Sequence, residues 1–288
     1  MNLTISNHLL QGEAVCHDYS TPNHSGTFSA GKADTIVIHY TAGRDARSSV
    51  QTLCSPDLKA SAHLVIGRNG EIYQLAPFDR ITWHAGKSNW HERSGLNQFS
   101  IGIEIDNAGR LTKQGTEYLS WFGKSYAANE VFSGVHRHEQ TLSFWHRYTE
   151  AQILLVEEIC RLLRQVYDIK EILGHEEISP GRKTDPGPAF PLDVLRNHVL
   201  YTDRKEDSLE TDAQPIPNQS ELLLGKGIVS ADLLNIRYQP NERSATAAAP
   251  LPKGTLINIL DEKDGWYKVQ VQAEGWVSSK WVEAKLSR

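Results

Sequence analysis

The sequence predicts two folded parts, an α/β domain in which helices cover a sheet and a small all-β barrel. Strand-like and helix-like segments are interleaved through the first 200 residues. From residue 227 onward, short β-rich runs alternate with turns that contain Pro, Gly or Asp. The histidines support this division, because all twelve lie at or before His198, whereas three of the seven tryptophans lie after residue 265.

The stretch between the two parts differs from both in composition. Residues 201–226 are charged, contain proline and are poor in aromatic residues, which is typical of a linker. We therefore predict a first domain over 1–200, a linker over 201–226 and a second domain over 227–288.

Three short segments predict the first strands of the sheet. Thr35–Tyr40 is a run rich in β-branched residues. Residues 62–66 and 71–75 flank Asn69-Gly70, a dipeptide typical of the turn in a β-hairpin. The two segments are therefore expected to pair as antiparallel strands.

A fourth segment places an acid inside a strand. In residues 100–106, Ile101, Ile103 and Ile105 alternate with small or polar residues, so the three isoleucines share one face of a strand. Glu104 lies in the middle of the opposite face. An acid is unusual there unless that face lines a site.

The clearest helix is predicted over residues 149–167. Thr149 and Gln152 have the spacing of a capping box at its start. A short strand or turn over 171–173 is predicted after it. The core-facing stripe of the helix is formed by apolar residues at helical spacing, namely Leu155, Ile159, Leu162, Leu163 and Val166.

The second part is predicted to contain only strands. Four short β-rich runs within a short stretch of chain suit a small barrel. These runs are Leu233–Tyr238, Thr255–Leu260, Trp266–Val271 and Gly275–Val277.

Composition excludes several classes of protein. Hydrophobic residues make up 39% and charged residues 23%, so a packed core is expected and global disorder is not. A net charge of -5 gives no basic excess for binding nucleic acid. No apolar run is long enough for a membrane span, and the first residues do not have the pattern of a signal peptide. Cys16, Cys54 and Cys160 are interpreted as ordinary thiols.

Several polar residues at the ends of predicted elements could form a hydrolytic metal site. Such a site needs three protein ligands, an open position for water and a carboxylate beside that water. His39 closes a predicted strand, His175 follows Gly174, and Asp185 lies in a proline-rich loop. Spacing alone leaves the alternative open that the histidines are structural and Asp185 forms a turn.

A set of motifs resembles a known enzyme family, the type 2 N-acetylmuramoyl-L-alanine amidases. It is the zinc family that includes AmpD-like amidases and shares its fold with the peptidoglycan recognition proteins. The resemblance implies a mixed β-sheet flanked by helices, and hydrolysis of the amide between the lactyl group of N-acetylmuramic acid and L-alanine of the stem peptide. The matching segments are VIHYTAG (37–43), SAHLVIGRNGEIYQL (61–75), WHAGKSNW (83–90), SIGIEID (100–106) and GHEEISPGRKTDPGP (174–188).

The resemblance also implies roles for single residues. His39, His175 and Asp185 become the ligands of one Zn²⁺ ion per amidase domain. Glu104 becomes the catalytic acid and base, and Lys183 the cation beside the reacting carbonyl. Some relatives have a tyrosine where this chain has Ala62, so no tyrosine role is carried over.

Other residues near these motifs have two readings each. Trp83, His84 and Trp90 are candidates to line the substrate groove, because aromatic faces suit sugar rings, and the alternative is a packing cluster. His63 matches a family position, but we interpret it as a core or supporting histidine and leave it off the ligand set.

A second group of histidines suggests a different metal cluster. His136, His138 and His146 lie close together in the sequence. Because the stretch is polar and has no matching carboxylate pattern, we interpret it as a surface loop.

The C-terminal part resembles bacterial SH3-like domains. The matching pieces are LLNIRYQPN (233–241), GTLINILDEKDGWYKVQV (254–271) and EGWVSSKWVEA (274–284). Such modules often bind cell-wall polymer. A stacking surface for such a polymer is one interpretation of four aromatic residues, and the barrel's own core is the other: Trp266, Tyr267, Trp276 and Trp281.

These observations favour a zinc amidase that acts on peptidoglycan or muropeptides. The alternatives are a non-catalytic peptidoglycan-binding protein on the same fold and a different zinc amidohydrolase or peptidase. Without a signal peptide, the sequence leaves two locations open. One is the cytoplasm, and the other is the cell wall after non-classical export or lysis.

Overall fold

The computed structural model describes residues 3–200 and much of the C-terminal part, namely 225–231, 233–237, 240, 244, 246, 248–263, 265–270, 274–278 and 282–286. The chain divides into two compact units, Met1–Thr202 and Asp203–Arg288. The linker predicted over 201–226 lies outside the described residues, except for 225 and 226, which belong to a strand.

The first unit contains seventeen strands among its described residues. They are β1 (Thr4–Ser6), β2 (Leu9–Gln11), β3 (Val15–Cys16), β4 (His24–Thr27), β5 (Thr35–Tyr40), β6 (Leu64–Ile66), β7 (Ile72–Gln74), β8 (Arg80–Thr82), β9 (Asn89–Trp90), β10 (Arg93–Ser94), β11 (Ser100–Ile105), β12 (Arg110–Gln114), β13 (Glu117–Leu119), β14 (Ser125–Tyr126), β15 (Val131–Val135), β16 (Leu142–His146) and β17 (Glu171–Gly174). The helices are α1 (Ala46–Leu53), α2 (Glu150–Val166), α3 (His175–Ile178) and α4 (Leu192–Leu200), with 3₁₀ turns at Leu96–Gln98 and Ala128–Glu130.

The central sheet of the first unit is mixed, as the resemblance implies. Its six strands lie in the order β17-β5-β11-β6-β7-β3. The four strands β17, β5, β11 and β6 run parallel, whereas β6 and β7 form the predicted antiparallel hairpin. Gly70 closes its turn with φ of 90°, a conformation that glycine adopts readily. The predicted fold class is confirmed.

The two faces of this sheet have different tasks. The isoleucines of β5 and β11 are fully buried against α2 and α4 in the main core. The opposite face of the same strands carries His39 and Glu104. Since successive side chains of a strand point to opposite faces, packing on one side leaves the other free for polar groups.

Helix α2 begins as the sequence predicts. The Thr149 hydroxyl accepts a hydrogen bond from Gln152 N at 3.1 Å, and the Gln152 side chain accepts one from Thr149 N at 3.0 Å. The predicted stripe is wrong at Val166, which is 52% exposed in the last helical turn. Val156 and Cys160 are buried instead, so the buried face is turned slightly from the predicted one.

The first unit contains a second sheet, whose strands lie between β11 and α2 in the sequence. It is five-stranded and antiparallel, in the order β14-β13-β12-β16-β15. The sequence does not predict it, because residues 110–146 are mostly polar and its strands are two to five residues long. Trp145, 1% exposed, is the largest side chain buried in this region.

The second unit is built on one antiparallel sheet. Its described strands are β18 (Gly225–Val229), β19 (Leu233–Leu234), β20 (Leu251–Pro252), β21 (Leu256–Lys263), β22 (Trp266–Gln270), β23 (Glu274–Ser278) and β24 (Val282–Leu286). Five of them form the sheet β23-β22-β21-β18-β24. The predicted strand over 233–238 is shorter than expected, and β18 and β24 are not predicted.

Two further expectations concern the state of the cysteines and the ability of a helix to span a membrane. Cys16, Cys54 and Cys160 are free thiols in the structure. Within the described parts of the chain, none of the helices has both the length and the apolar character that crossing a membrane demands.

The capping box of α2 gives the first prediction. Thr149→Ala removes the side-chain acceptor for Gln152 N, so we expect a loss of about 1 kcal/mol in the free energy of unfolding and a Tm lower by about 2–4 °C. Thermal unfolding followed by circular dichroism measures this shift. Thr149→Ser keeps the hydroxyl and is the matched control; an equal loss in both variants would contradict a capping role.

Candidate metal centre

The carboxyl ends of three parallel strands bring the candidate site together. In the register of β5 and β11, Glu104 lies opposite His39. On the other side of β5, Gly174 pairs with Ile38, so His175 follows at the level of His39. Parallel strands end at one edge of a sheet, which is why residues far apart in sequence meet here.

His39, His175 and Asp185 form a tight cluster of possible ligand atoms. His39 Nδ1 lies 2.9 Å from His175 Nδ1 and 3.0 Å from Asp185 Oδ2. His175 Nδ1 lies 2.9 Å from the same Asp185 oxygen. All three side chains are buried. The structure therefore brings together the three residues that the motifs single out.

The hydrogen bonds around His39 determine which of its nitrogens carries the proton. His84 Nε2 donates to the carbonyl oxygen of Ser100 at 3.2 Å, so His84 Nδ1 is an acceptor. His39 Nε2 lies 3.0 Å from that acceptor and must donate to it. A neutral His39 consequently has its lone pair on Nδ1, facing Asp185.

His175 also has its lone pair on Nδ1, but a different hydrogen-bond partner determines this. Its Nε2 lies 3.1 Å from the carbonyl oxygen of Ala85 and donates to it, which leaves a lone pair on Nδ1. Two imidazole lone pairs and one carboxylate oxygen thus face one another.

Three mutually facing acceptors fit a bound cation. Without a proton or a cation between them, acceptors about 3 Å apart repel one another in a buried site. Ligand atoms about 2.0–2.1 Å from a tetrahedral zinc ion stand about 3.3 Å apart, close to the spacing seen here. Two imidazoles and a carboxylate are also a donor set that zinc accepts.

The ionisation of these groups agrees with a ligand role. Burial, and then the neighbouring His175, lower the pKa of His39 to about 4, so the ring is neutral at neutral pH. Neutral imidazole and carboxylate are the metal-binding forms.

Two buried or half-buried tyrosines hold the loop that carries Asp185. Tyr40 Oη lies 2.8 Å from Thr184 Oγ1, just before the aspartate. Tyr148 Oη donates to the carbonyl oxygen of Pro186, just after it, at 2.8 Å. The loop is therefore fixed on both sides of Asp185.

Glu176 ties the same loop to the second sheet. Its backbone N donates to Asp185 O at 2.8 Å, and its carboxylate accepts from Gly187 N at 3.1 Å. The same carboxylate accepts from His136 Nε2 at 2.7 Å and forms an ion pair with Arg137 at 2.8 Å. Sequence analysis does not single out Glu176, and only its position directly after His175 points to it.

The surface-loop interpretation of the second histidine group is wrong for two of its members and holds for the third. His136 and His146 are buried, at 2% and 4% exposed, whereas His138 is exposed in the turn that follows β15. His138 donates to the carbonyl oxygen of Glu176 at 3.0 Å, and His146 accepts from Ala108 N at 3.1 Å. The three rings support the fold and do not form a second metal cluster among the described residues.

A cavity of about 370 Å³ opens beside the cluster. Among the residues that line it are His175, Asp185, Glu104 and Lys183. Lys183 is half-buried, and its positive charge partly offsets the burial and the Asp185 charge that raise the pKa of Glu104. The two charged residues that the motifs single out beside the ligands therefore share one cavity with them.

Glu104 is prepared to exchange a proton. Its Oε2 atom is buried and has no hydrogen-bond partner among the described residues. Burial, and then the charge of Asp185, raise the pKa of the carboxyl well above its ordinary value. A carboxylate with a raised pKa binds a proton more tightly than usual. Next to a possible metal site, such a carboxylate can act as a general base.

The three aromatic candidates for substrate contact fall in different places. Trp83 lines the cavity, and its indole N–H donates to Ser25 Oγ at 2.7 Å. His84 also lines it, but both of its ring nitrogens are already hydrogen-bonded, one to His39 and one to the Ser100 carbonyl oxygen. Trp90 packs on the small core around Leu96 and is not among the residues that line the cavity.

His63 belongs to the supporting structure, in agreement with its interpretation from the sequence. The ring is fully buried, accepts from Gly102 N at 2.9 Å and donates to Arg80 O at 2.8 Å. Its nitrogens are therefore engaged away from the ligand cluster.

Comparison with protein families agrees with this geometry. The family model described as N-acetylmuramoyl-L-alanine amidase matches residues 29–188, which is more than half of the chain. The model described as bacterial SH3 domain matches residues 232–283.

Curated relatives carry names of the same kind. The 1,6-anhydro-N-acetylmuramyl-L-alanine amidase AmpD of Salmonella typhimurium (strain SL1344) is 36% identical over 151 residues, which are 52% of this chain and 62% of the relative. AmpD of Escherichia coli (strain K12) is 38% identical over 190 residues, or 65% of this chain and 81% of the relative. The N-acetylmuramoyl-L-alanine amidase AmiD of the same strain is 33% identical over 169 residues, or 56% of this chain and 51% of the relative. The chain thus spans less than two thirds of the Salmonella AmpD and of AmiD.

The packing of His84 gives the second prediction. A Cβ on Gly102 would overlap the His84 ring, so Gly102→Ala should lower the free energy of unfolding by about 1–3 kcal/mol. In a His84→Ala background the space is open, and the same substitution should cost less than about 1 kcal/mol. Urea unfolding of the four proteins measures the difference. An equal cost in both backgrounds would contradict this explanation. It would show that the His84 ring does not require position 102 to lack a side chain.

Proposed function

Because the chain belongs to the N-acetylmuramoyl-L-alanine amidase family, we propose that it hydrolyses the amide between the lactyl group of N-acetylmuramic acid and L-alanine of the stem peptide. The substrate is peptidoglycan or a muropeptide derived from it. The observation that carries the proposal is the cluster of three acceptors from His39, His175 and Asp185, with Glu104 in the same cavity. The names of the AmpD and AmiD relatives refer to the same type of bond.

We propose that these three ligands hold one Zn²⁺ ion per amidase domain. The ion would acidify a water molecule and polarise the substrate carbonyl. The protein's own contribution is to present two imidazole lone pairs and one carboxylate in a fixed arrangement. His84 and the Ala85 carbonyl secure the imidazoles, while Glu176 and the two tyrosines secure the loop of Asp185.

Glu104 transfers the proton in this proposal. Its carboxylate takes a proton from the attacking water, and the water oxygen forms a bond to the lactyl carbonyl carbon. When the carbon–nitrogen bond breaks, Glu104 returns the proton to the alanine nitrogen, which leaves as a free amine. The lactyl group keeps the water oxygen and becomes a carboxylic acid. The raised pKa of Glu104 suits both directions of this transfer.

Lys183 stabilises the charge that develops on the carbonyl oxygen. It lines the cavity with Glu104, and a fixed cation in a partly buried site lowers the energy of an oxyanion more than of a neutral carbonyl. This preference for the charged state is what lowers the barrier.

We propose that the second unit binds cell-wall polymer. Tyr267 is 9% exposed and belongs to the core of the unit, so it does not offer a stacking surface. Trp266 is half-buried and is the better candidate. Trp281 and the side chain of Trp276 lie outside the described residues. A wall-binding unit suits an enzyme that reaches the wall by lysis or specialised export.

The third prediction separates proton transfer from metal binding. Glu104→Gln should keep one zinc ion per chain but lower the hydrolysis rate of a purified muropeptide about 10²–10⁴-fold, because the amide cannot accept the proton. His175→Ala should lose both zinc and activity, because two ligands remain of three. Elemental analysis and mass spectrometry of the products measure the two properties, and Glu92→Gln on the exposed surface is the control.

The products decide between this proposal and its alternatives. A glycan fragment and a stem peptide that begins with L-alanine support the amidase. Cleavage within the peptide would indicate a peptidase, and binding without cleavage would indicate a non-catalytic receptor. A Glu104→Gln variant with a normal rate would remove Glu104 from the reaction.

The fourth prediction concerns the second unit. The full chain with Glu104→Gln should sediment with purified peptidoglycan, and adding Trp266→Ala should reduce the bound fraction if that ring contacts the polymer. Leu233→Ala, which truncates a side chain 65% exposed in the same unit, is the control. Equal binding by all three proteins would contradict a role for Trp266.

A further inference from the structure

Trp121 is the most exposed large apolar side chain among the described residues. It is 76% exposed, and no other aromatic residue is found among the large hydrophobic side chains that the described surface leaves open. An exposed tryptophan places a broad apolar area in water, and covering that area with a ligand is favourable. The residue lies at the tip between β13 and β14 of the second sheet.

The tip that presents Trp121 is well fixed. Ser120 N donates to Lys124 O at 2.9 Å, and Gly123 N donates back to Ser120 O at 2.9 Å. Trp121 also meets the ring of Phe122 edge to face, with centroids 5.5 Å apart. The indole is therefore held in place before any ligand arrives, so little conformational entropy remains to be lost on binding.

Trp121 stands at the rim of the cavity that contains Glu104. Its indole N–H donates to the carbonyl oxygen of Ala42 at 2.7 Å. Ala42 is one of the residues that line this cavity. It has a φ of 51°, in the left-handed region that alanine rarely adopts. The Trp121 indole is thus hydrogen-bonded to the loop that follows His39.

We propose that the face of Trp121 is a stacking platform for a sugar ring of the glycan in the substrate. The indole N–H is already bonded to Ala42, so the ring offers a ligand only its flat apolar face. A sugar ring has a face of C–H groups that matches such a surface. The stem peptide next to the reacting amide has no flat ring. The inference rests on the proposed function, because that function brings a sugar to this rim.

A purely structural role for Trp121 predicts a different result for two substitutions of this residue. If the side chain served only to hold Ala42, Trp121→Phe would be as harmful as Trp121→Ala, since both remove the N–H donor. If it serves as a platform, Trp121→Phe keeps a flat face and most of the affinity. The two variants therefore separate the explanations.

The experiment measures binding by calorimetry in the full-length Glu104→Gln chain, with zinc present. One probe is the disaccharide N-acetylglucosaminyl-N-acetylmuramoyl-tripeptide, and the other is D-lactyl-tripeptide without a sugar. We expect Trp121→Ala to raise the Kd for the disaccharide probe about 3- to 10-fold. The Kd for the sugar-free probe should stay unchanged, and Trp121→Phe should change the disaccharide Kd less than twofold.

Three results would overturn the inference. They are an equal loss of affinity for both probes, equal effects of the two Trp121 substitutions, and no advantage of the sugar-bearing probe in the parent chain. Failure of the proposed function is visible separately, because the wild-type chain would then not release a stem peptide from the disaccharide probe.

Discussion

Three hydrogen-bond acceptors meet within 3.0 Å of one another in a buried position, and the rest of the site is arranged to permit this. Such a cluster is unfavourable on its own, because each lone pair has lost water and gained no donor. The surroundings hold the unfavourable state in place. His84 and the Ala85 carbonyl occupy the outer nitrogens of the two imidazoles, so neither ring can turn its proton inward without losing a bond. A divalent cation bound between the three atoms would relieve the repulsion.

The parallel register of the central sheet brings the residues of this cluster together. It places Glu104 opposite His39, so the proposed proton acceptor and one of the proposed ligands are neighbours on paired strands. A strand holds such a spacing more rigidly than a loop does. Gly102, which precedes Glu104 on the same face, leaves the space that the His84 ring occupies. One strand thereby carries the proposed base, Glu104, and leaves room for the His84 ring that is hydrogen-bonded to His39.

The sequence was sufficient wherever the determining contacts are local. The capping box of α2, the hairpin around Gly70 and the alternation around Glu104 follow from neighbours a few residues apart. It was insufficient where the partner is distant. His136 meets Glu176 forty residues later, and a polar segment with short strands looks like a loop until that partner is known. The task of His84 was also hidden, because it depends on a carbonyl oxygen, which every residue has.

The second sheet contributes to the site at two places. At one edge, the segment after β15 carries His136, which steadies the loop of Asp185 through Glu176. At the other edge, the tip between β13 and β14 carries Trp121 to the rim at Ala42. Both edges pair through the same central strands, β12 and β16. A shift of this sheet would therefore move the loop of Asp185 and the cavity rim at Ala42 together, so one packed element determines the position of both.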